Sequence, residues 1–551
     1  MKKIFAILSF VVLFTTNMFS QVYHREYDAV SAYNINSSVS VIVNSTTSYL
    51  ISTDGTYTIE FQRLSTNTML PNNIYSYIIN QPLGVFHFEG AFLDSHKDII
   101  VYGYIDESDR HMGMALKYHP GTTLPLSIFF IPRYSTRFIS GCLGHDYSGN
   151  DNYAFITEKG ILFSTDIAFG LAHNGVCVEK GYYSYVSWDD KKNKYCVSGT
   201  ICAGSSNFST VLSFFEPDLD TNTAISYAYK LNTTDPILLG PSQGRAVHAQ
   251  IKDNEFVIFQ DAVLDQQPNP CIWATIVNKF TGMPVGTEVI DIFPDGPLTI
   301  TDVDYNDVEH RLLLLGRQDY CNSSEGKNYV LQIDPFNIGD THKKAIYISD
   351  FHDMVCNPIA IMPYNDIILK QILYNKYTND FFISGINKDH QYYYTYKPYG
   401  IKVYNSNSLV QCNEKYSITT IEKSAYKHDV KNYDVDVYHD KRDTFLYNWT
   451  TQISATDLCS DPHYYPDNYN KSQKVTTEDE IALNIANNEF ICNSLYGNCH
   501  YEIFDIAGKL VFSGSTLSNK YTSLPSLKEG VYIIKVVDEK HTCSTKKFVI
   551  L

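Results

Sequence analysis

Residues Thr301–Gly316 read TDVDYNDVEHRLLLLG. An alternation of polar and apolar residues ends on Tyr305, a polar turn spans 306–311, and a run of large apolar residues closes on Gly316. This is the pattern of two strands joined by a tight hairpin. Counted from Leu312, the first residue of the apolar run, Tyr305 stands seven residues before it and Asp307 five before it. The same offsets place Phe92 and Asp94 before Ile99, Trp188 and Asp190 before Tyr195, and Tyr438 and Asp440 before Phe445. Tyr374 precedes Phe381 at the same distance, with Lys376 in place of the acid. Four residues past the marker come Gly103, Gly199, Gly316 and Gly385, and Trp449 in the last copy. Phe92, Trp188, Tyr305, Tyr374 and Tyr438 are therefore expected to form a repeat core packed between neighbouring units, in preference to a platform on which sugars stack.

Outward from this stretch, the chain from Val22 to about Ser460 alternates in short apolar runs broken by turn residues, without long amphipathic helical patterns. Apolar runs mark units near Tyr49, Ile99, Ala154, Tyr195, Phe256, Leu312, Phe381 and Phe445, with spacings from 41 to 69 residues. Third strands follow two of them, at Met112–Tyr118 and Tyr329–Ile333. Four-stranded units of this length, repeated radially, hide the edges of their own sheets. The expectation is an all-β chain: a seven- or eight-bladed β-propeller-like domain over 21–458, followed by a small Ig-like β-sandwich.

The bulk numbers agree. The chain has 551 residues, too many for one core, with 44% hydrophobic and 19% charged residues, and is rich in Tyr (44) and Phe (30). Lys and Arg total 43 against 60 Asp and Glu, a net charge of −17, which argues against a nucleic-acid partner. Lys2 and Lys3, the apolar run Ile4–Phe14 and the small residue Ser20 compose a signal peptide over 1–20, cut so that Gln21 becomes the new N-terminus. No later apolar run approaches 18 residues, so no transmembrane span is expected. With export, some of the twelve cysteines are expected in disulfides, Cys196/Cys202 and Cys492/Cys499 being the nearest neighbours; the competing reading makes them small buried hydrophobes.

A Cys/Pro/Asn/Tyr-rich stretch, 459–474, reads as a linker. Beyond it, over 475–551, come Ile503-Phe-Asp505-Ile-Ala-Gly508-Lys509, then Leu527-Lys-Glu-Gly530-Val531-Tyr532-Ile-Ile-Lys535, and finally Lys546-Lys547-Phe-Val-Ile550. In order and spacing this module resembles the type A C-terminal sorting domain of cargo exported by the type IX secretion system of Bacteroidota. It departs from that pattern in lacking the Pro-Asn-Pro opening, Ile485-Ala-Asn-Asn488 standing there instead. The resemblance implies export across both membranes, the secretion machinery as partner, and a final place on the cell surface or outside the cell. Gly508 is expected in a hairpin turn with positive φ, and Gly530 at a tight entry into a strand.

Chemistry is sparse along the chain. Asp302-Val-Asp304 and Asp434-Val-Asp436 are acids at period two, the arrangement that glycoside hydrolysis or calcium would use. Because both pairs occupy nearly the same place in two repeats, a repeated structural role is the better reading. No G-x-S-x-G, H-E-x-x-H, P-loop or G-x-G-x-x-G occurs. No catalytic, cofactor or metal ligand is therefore assigned, calcium being the one ion the paired acids admit. The expected function is a non-catalytic binding module for a glycan or protein ligand; the alternative is a secreted propeller enzyme acting on glycans, a hydrolase or lyase.

Overall fold

The computed structural model describes residues 23–457 and 482–550 apart from short connecting stretches, the longest being 334–343, 349–364 and 405–413. Described residues fall into two compact units, Met1–Pro466 and Asp467–Leu551. No helix among them is long and apolar enough to cross a membrane.

Among the described residues, the first unit holds seven antiparallel sheets. Their innermost strands are Ser37–Ile42, Val85–Leu93, Phe138–His145, Gly181–Asp189, Ala246–Lys252, Leu298–Asn306 and Asn365–Asn375, and we number the blades 1 to 7 in that order. Each inner strand packs on the next, and the inner strand of blade 7 packs back on blade 1, so the ring closes. Blade 7 takes its fourth strand, Tyr23–Tyr27, from the start of the chain. Among the described residues, seven separate apolar clusters fill the seven boundaries between blades, from Phe61, Ile99 and Leu116 between blades 1 and 2 to Tyr27, Leu50, Met69 and Phe382 between blades 7 and 1. Seven of the eight sequence markers, Tyr49 to Phe381, lie in the second strands of the seven blades.

The marker at Phe445 does not begin a blade. The flanking strands Asp440–Thr444 and Leu446–Thr451 pair separately with the outer edges of blades 2 and 1. They belong to a belt. After blade 7 the chain reverses and travels back around the ring, adding Glu414–Ser417 to blade 6, Thr419–Lys423 to blade 5, Ala425–Asp429 to blade 4 and Asn432–Val435 to blade 3. Blades 2 and 1 follow, and Ala455–Asp457 completes blade 7. Every outer edge is thus covered by a strand from the same chain, which removes the unpaired backbone groups that invite edge-to-edge association. Side chains fix the belt at blade 4. Asn432 Oδ1 accepts from the Tyr183 hydroxyl at 2.6 Å and its Nδ2 donates to Ser226 Oγ at 2.7 Å, while Lys427 lies over the Tyr227 ring.

Three of the four repeat glycines share one cause; a Cβ on the fourth, Gly316, would meet the Tyr329 ring and hydroxyl instead. In blades 2, 4, 6 and 7 the inner strand bulges just after the residue paired with Gly103, Gly199, Gly316 or Gly385. A Cβ on Gly103, Gly199 or Gly385 would stand 2.0 Å from the carbonyl oxygen of His87, Tyr182 or Ile368. The bulge brings that carbonyl against the second strand, and only glycine leaves room. The hairpin turn is also common to the repeats. Lys97, Asn193, His310 and Asn379, each two residues before its marker, have φ between 54° and 67°. The acid five before the marker has no shared role: Asp94 is buried, whereas Asp190 and Asp307 are exposed.

In the second unit, Asn498–Asp505, Leu510–Leu517, Gly530–Asp538 and Cys543–Ile550 form a four-stranded sheet beside a three-stranded one. Phe490, Tyr501, Ile503, Ile534 and Val536 make its core.

Candidate functional site

All inner strands run the same way along the ring, which gives it an entry face, where they begin, and an exit face, where they end. The bulges aim Glu89 of blade 2 and Lys370 of blade 7 into the channel, where Lys370 Nζ lies 3.0 Å from a Glu89 carboxylate oxygen, passing over blade 1. Gln371 makes the same crossing, its Nε2 donating to Ala91 O at 2.8 Å and its Oε1 accepting from Ser40 N–H. Tyr185 of blade 4 reaches Val303 O of blade 6, and Arg245 at the head of blade 5 reaches Ile139 O of blade 3. The channel is therefore laced by polar bridges that each skip a blade.

Asp302 and Asp304 lie on this wall and are used structurally. Asp302 Oδ2 accepts from Ile372 N–H at 3.0 Å, and Asp304 Oδ2 from Tyr374 N–H, clasping blade 6 to blade 7. Burial raises the Asp302 pKa to about 7 and that of Asp304 to about 6, while these N–H donors pull the other way. Ser37, Ser140 and Ser184 play the same part between other blades, accepting from Phe88, Val186 and Ala246 N–H. The expected likeness of Asp434-Val-Asp436 fails, because Asp434 stands on the belt strand Asn432–Val435 and not on an inner strand. A local alternation of two acids is identical in the two settings, and only the pairing partner separates them.

At the entry face, five half-exposed polar side chains meet across blades 2 and 3. His87 comes from the inner strand of blade 2, Asp106 from the end of its second strand, and His111 from the start of its third. Arg137 precedes the inner strand of blade 3, and Glu158 follows its second strand. Asp106 Oδ2 is 3.0 Å from His87 Nε2, and Asp106 Oδ1 meets His111 Nδ1. Arg137 Nη2 is 3.0 Å from His111 Nε2, and Arg137 Nε is 3.5 Å from Glu158 Oε2. The Asn36 amide lies 3.1 Å from His87 Nδ1. A guanidinium and a side-chain NH2 only donate, so His111 Nε2 and His87 Nδ1 accept, and both imidazole protons face Asp106. Burial, ahead of the opposing pull of Asp106, lowers the His87 pKa and keeps the ring neutral. Tyr104 stacks on His87 with ring centroids 4.4 Å apart, and the Arg137 guanidinium lies over the Tyr104 ring at 4.5 Å from its centroid.

Sequence reading missed this cluster. Its members come from five segments, and no two share a motif; the one local hint is the acid Asp106 and the histidine His111, five residues apart on consecutive strands of blade 2.

The residues singled out from sequence are placed as follows. Phe92 packs on Tyr153 and Phe155 of blade 3, and Trp188 packs edge-on against Tyr195 and His145. Tyr305 and Tyr374 are half-buried against the clusters of their own boundaries. Tyr438, Ser20, Gln21 and Gly508 lie outside the described residues. Asp505 and Lys509 close their hairpin, Asp505 N–H donating to Lys509 O and Lys509 N–H to Asp505 Oδ1, both at 2.9 Å. Gly530, Val531 and Lys547 stand on the paired strands 530–538 and 543–550, and the buried Tyr532 donates to Lys528 O. The Cys196/Cys202 pairing does not form. Both residues belong to one extended strand, Lys194–Cys202, and Cys196 is a free thiol in the core. Cys492 and Cys499 stand on strands of different sheets.

No curated protein matches the chain. Among solved structures, the extracellular domain of a putative hybrid two component system from B. thetaiotaomicron is 10% identical, covering 94% of this chain and 85% of that one with a TM-score of 0.19. The β-propeller domain of Cps50 (Swd1) from Myceliophteria thermophila is 11% identical, covering 49% and 90%, with a TM-score of 0.26. Superpositions this loose carry no argument. Residues 478–551, by contrast, match the secretion system C-terminal sorting domain, a range that contains the three motifs read from the sequence. The chain therefore carries a type IX secretion C-terminal sorting domain behind an all-β, propeller-like ring.

Proposed function

We propose that this protein is a type IX cargo delivered to the outer side of the outer membrane, where the ring acts as a non-catalytic binding module. Its ligand, a glycan or a protein segment, docks at the entry-face cluster of His87, Tyr104, Asp106, His111, Arg137 and Glu158. The observation that carries this reading is the state of the two histidines. Each ring nitrogen already has a partner, both protons face Asp106, and neither imidazole keeps a lone pair for general-base work. What the cluster offers is a set of half-exposed, oriented donors and acceptors around His87, whose ring is backed by the buried Tyr104. That suits recognition of a hydroxyl-rich or amide-rich surface.

The enzyme reading has one observation in its favour, the raised Asp302 carboxyl in the channel. Its Oδ1 and Oδ2 are engaged by Val303 and Ile372 N–H, which is the arrangement of a clasp. The test is a binding screen of the full chain against panels of glycans and peptides, repeated with Arg137→Ala. Wild-type binding to one chemical class, lost in the variant, supports the assignment; binding indifferent to Arg137→Ala removes the ligand from this face.

A further inference from the structure

We propose that Asp94, His96 and Asp151, with His145 beside them, bind a divalent transition metal of zinc's chemistry on the exit face of the ring. Asp94 and His96 stand in the turn after the blade 2 inner strand, and Asp151 opens the second strand of blade 3. One donor atom from each of the three lies within 4.8 Å of the others. The carboxylates are buried, with side chains 0% and 3% exposed, while His96 is 66% exposed and guards the solvent side.

Other blades show what stability alone requires at such a boundary. Among the described residues, Lys279 Nζ of blade 5 meets Asp189 Oδ2 of blade 4 at 2.7 Å as one buried pair, and within blade 7 Lys402 Nζ meets Asp380 Oδ2 at 2.9 Å. Between blades 2 and 3 one lysine, Lys117, lies 3.0 Å from Asp94 and 3.1 Å from Asp98, and a third carboxylate, Asp151, stands beside Asp94. Three imidazoles surround the excess, His119 on Asp98 and both His96 and His145 on Asp151. Buried negative charge is balanced by pairing or by a cation, and here a single lysine stands with three neighbouring carboxylates.

The donors are already oriented. Asp94 Oδ2 accepts from Lys117 and from the Tyr153 hydroxyl, Asp94 Oδ1 from Asp98 N–H, and Asp151 Oδ2 from Ser95 N–H. Asp94 Oδ1 and Asp151 Oδ2 each keep a second lone pair for an ion, and outer partners of this kind hold ligands in place. His145 Nδ1 is shielded from solvent without a hydrogen bond, 3.3 Å from Asp151 Oδ1, which puts a fourth donor residue at the site. Mixed imidazole and carboxylate donors in small number suit zinc; calcium takes six to eight oxygens.

The experiment is calorimetric titration of the tag-free full chain with Zn2+, using wild type, His96→Ala, and His310→Ala as a control on an exposed histidine of blade 6. His96 is exposed, so its variant keeps the fold, which circular dichroism checks. The expected result is about one Zn2+ per chain at micromolar affinity or better, weakened at least about tenfold in His96→Ala and unchanged in His310→Ala. Because the His145 ring stands edge-on to Trp188 at 5.7 Å, Cu2+ at the site should also quench tryptophan emission in wild type and not in His96→Ala. No zinc bound by wild type, or equal affinity in His96→Ala, overturns the proposal.

Discussion

Gly103, Gly199 and Gly385 are the residues at which backbone geometry is most exacting. A methyl group on any of them meets a carbonyl oxygen at 2.0 Å, and a paired strand cannot retreat as a flexible side chain would. Each glycine-to-alanine change is expected to cost about 2 to 3 kcal/mol in urea unfolding. Gly286 has open space within 4 Å of where a methyl group would stand, and should accept alanine within about 0.5 kcal/mol. His248 makes a second prediction. It is buried between Ser187 Oγ and Ser198 Oγ, at 2.7 and 2.9 Å, and burial holds its pKa down to about 3. The unfolded chain takes up a proton below about pH 6.5 that the fold refuses, so the contribution is full above that pH and falls away as pH drops towards 3. His248→Asn should lose about 2 to 3 kcal/mol less than wild type between about pH 7.5 and 4.5, whatever its stability at neutral pH. Equal losses in the two proteins would show that His248 does not set the slope.

At the scale of the element, the belt is the feature the sequence concealed. Its strands are four to six residues long with one three-residue piece, and several are polar, so period-two alternation has little length in which to show. The blades were legible because a buried strand must alternate and a bulge must face glycine; Tyr195 and Gly199, or Phe381 and Gly385, announce both. A strand added to an outer edge owes its place to backbone pairing, which any sequence supplies, and the Tyr438, Asp440 and Phe445 spacing imitated an eighth unit by chance. Blade 3 shows the complementary loss: four residues past its marker, Ala154, stands Glu158 where the repeat has glycine, yet it forms a full blade. Removing 414–457 would uncover seven strand edges at once. That deletion is expected to associate or precipitate during size-exclusion chromatography, where wild type elutes as one species. A soluble, monomeric deletion would show that the belt does not protect the edges.

For the whole molecule, the tail and the ring were read from different kinds of signal. The tail's motifs are contiguous, so Asp505, Gly530 and Tyr532 are legible in the sequence itself. The entry-face cluster is scattered over 87–158 and becomes a site only when blades 2 and 3 meet. Deleting 478–551 is expected to leave the ring inside the outer membrane of a host with type IX secretion, as cell fractionation would report; undiminished surface display would deny the tail its role. An exported ring that binds without turning its ligand over must return that ligand unchanged. The direct measurement is mass spectrometry of a bound ligand recovered after prolonged incubation with the wild-type chain. Recovery of the ligand intact is the predicted result. A cleaved or eliminated product, formed by wild type and not by Asp302→Asn, would contradict non-catalytic binding and place an enzyme in the channel.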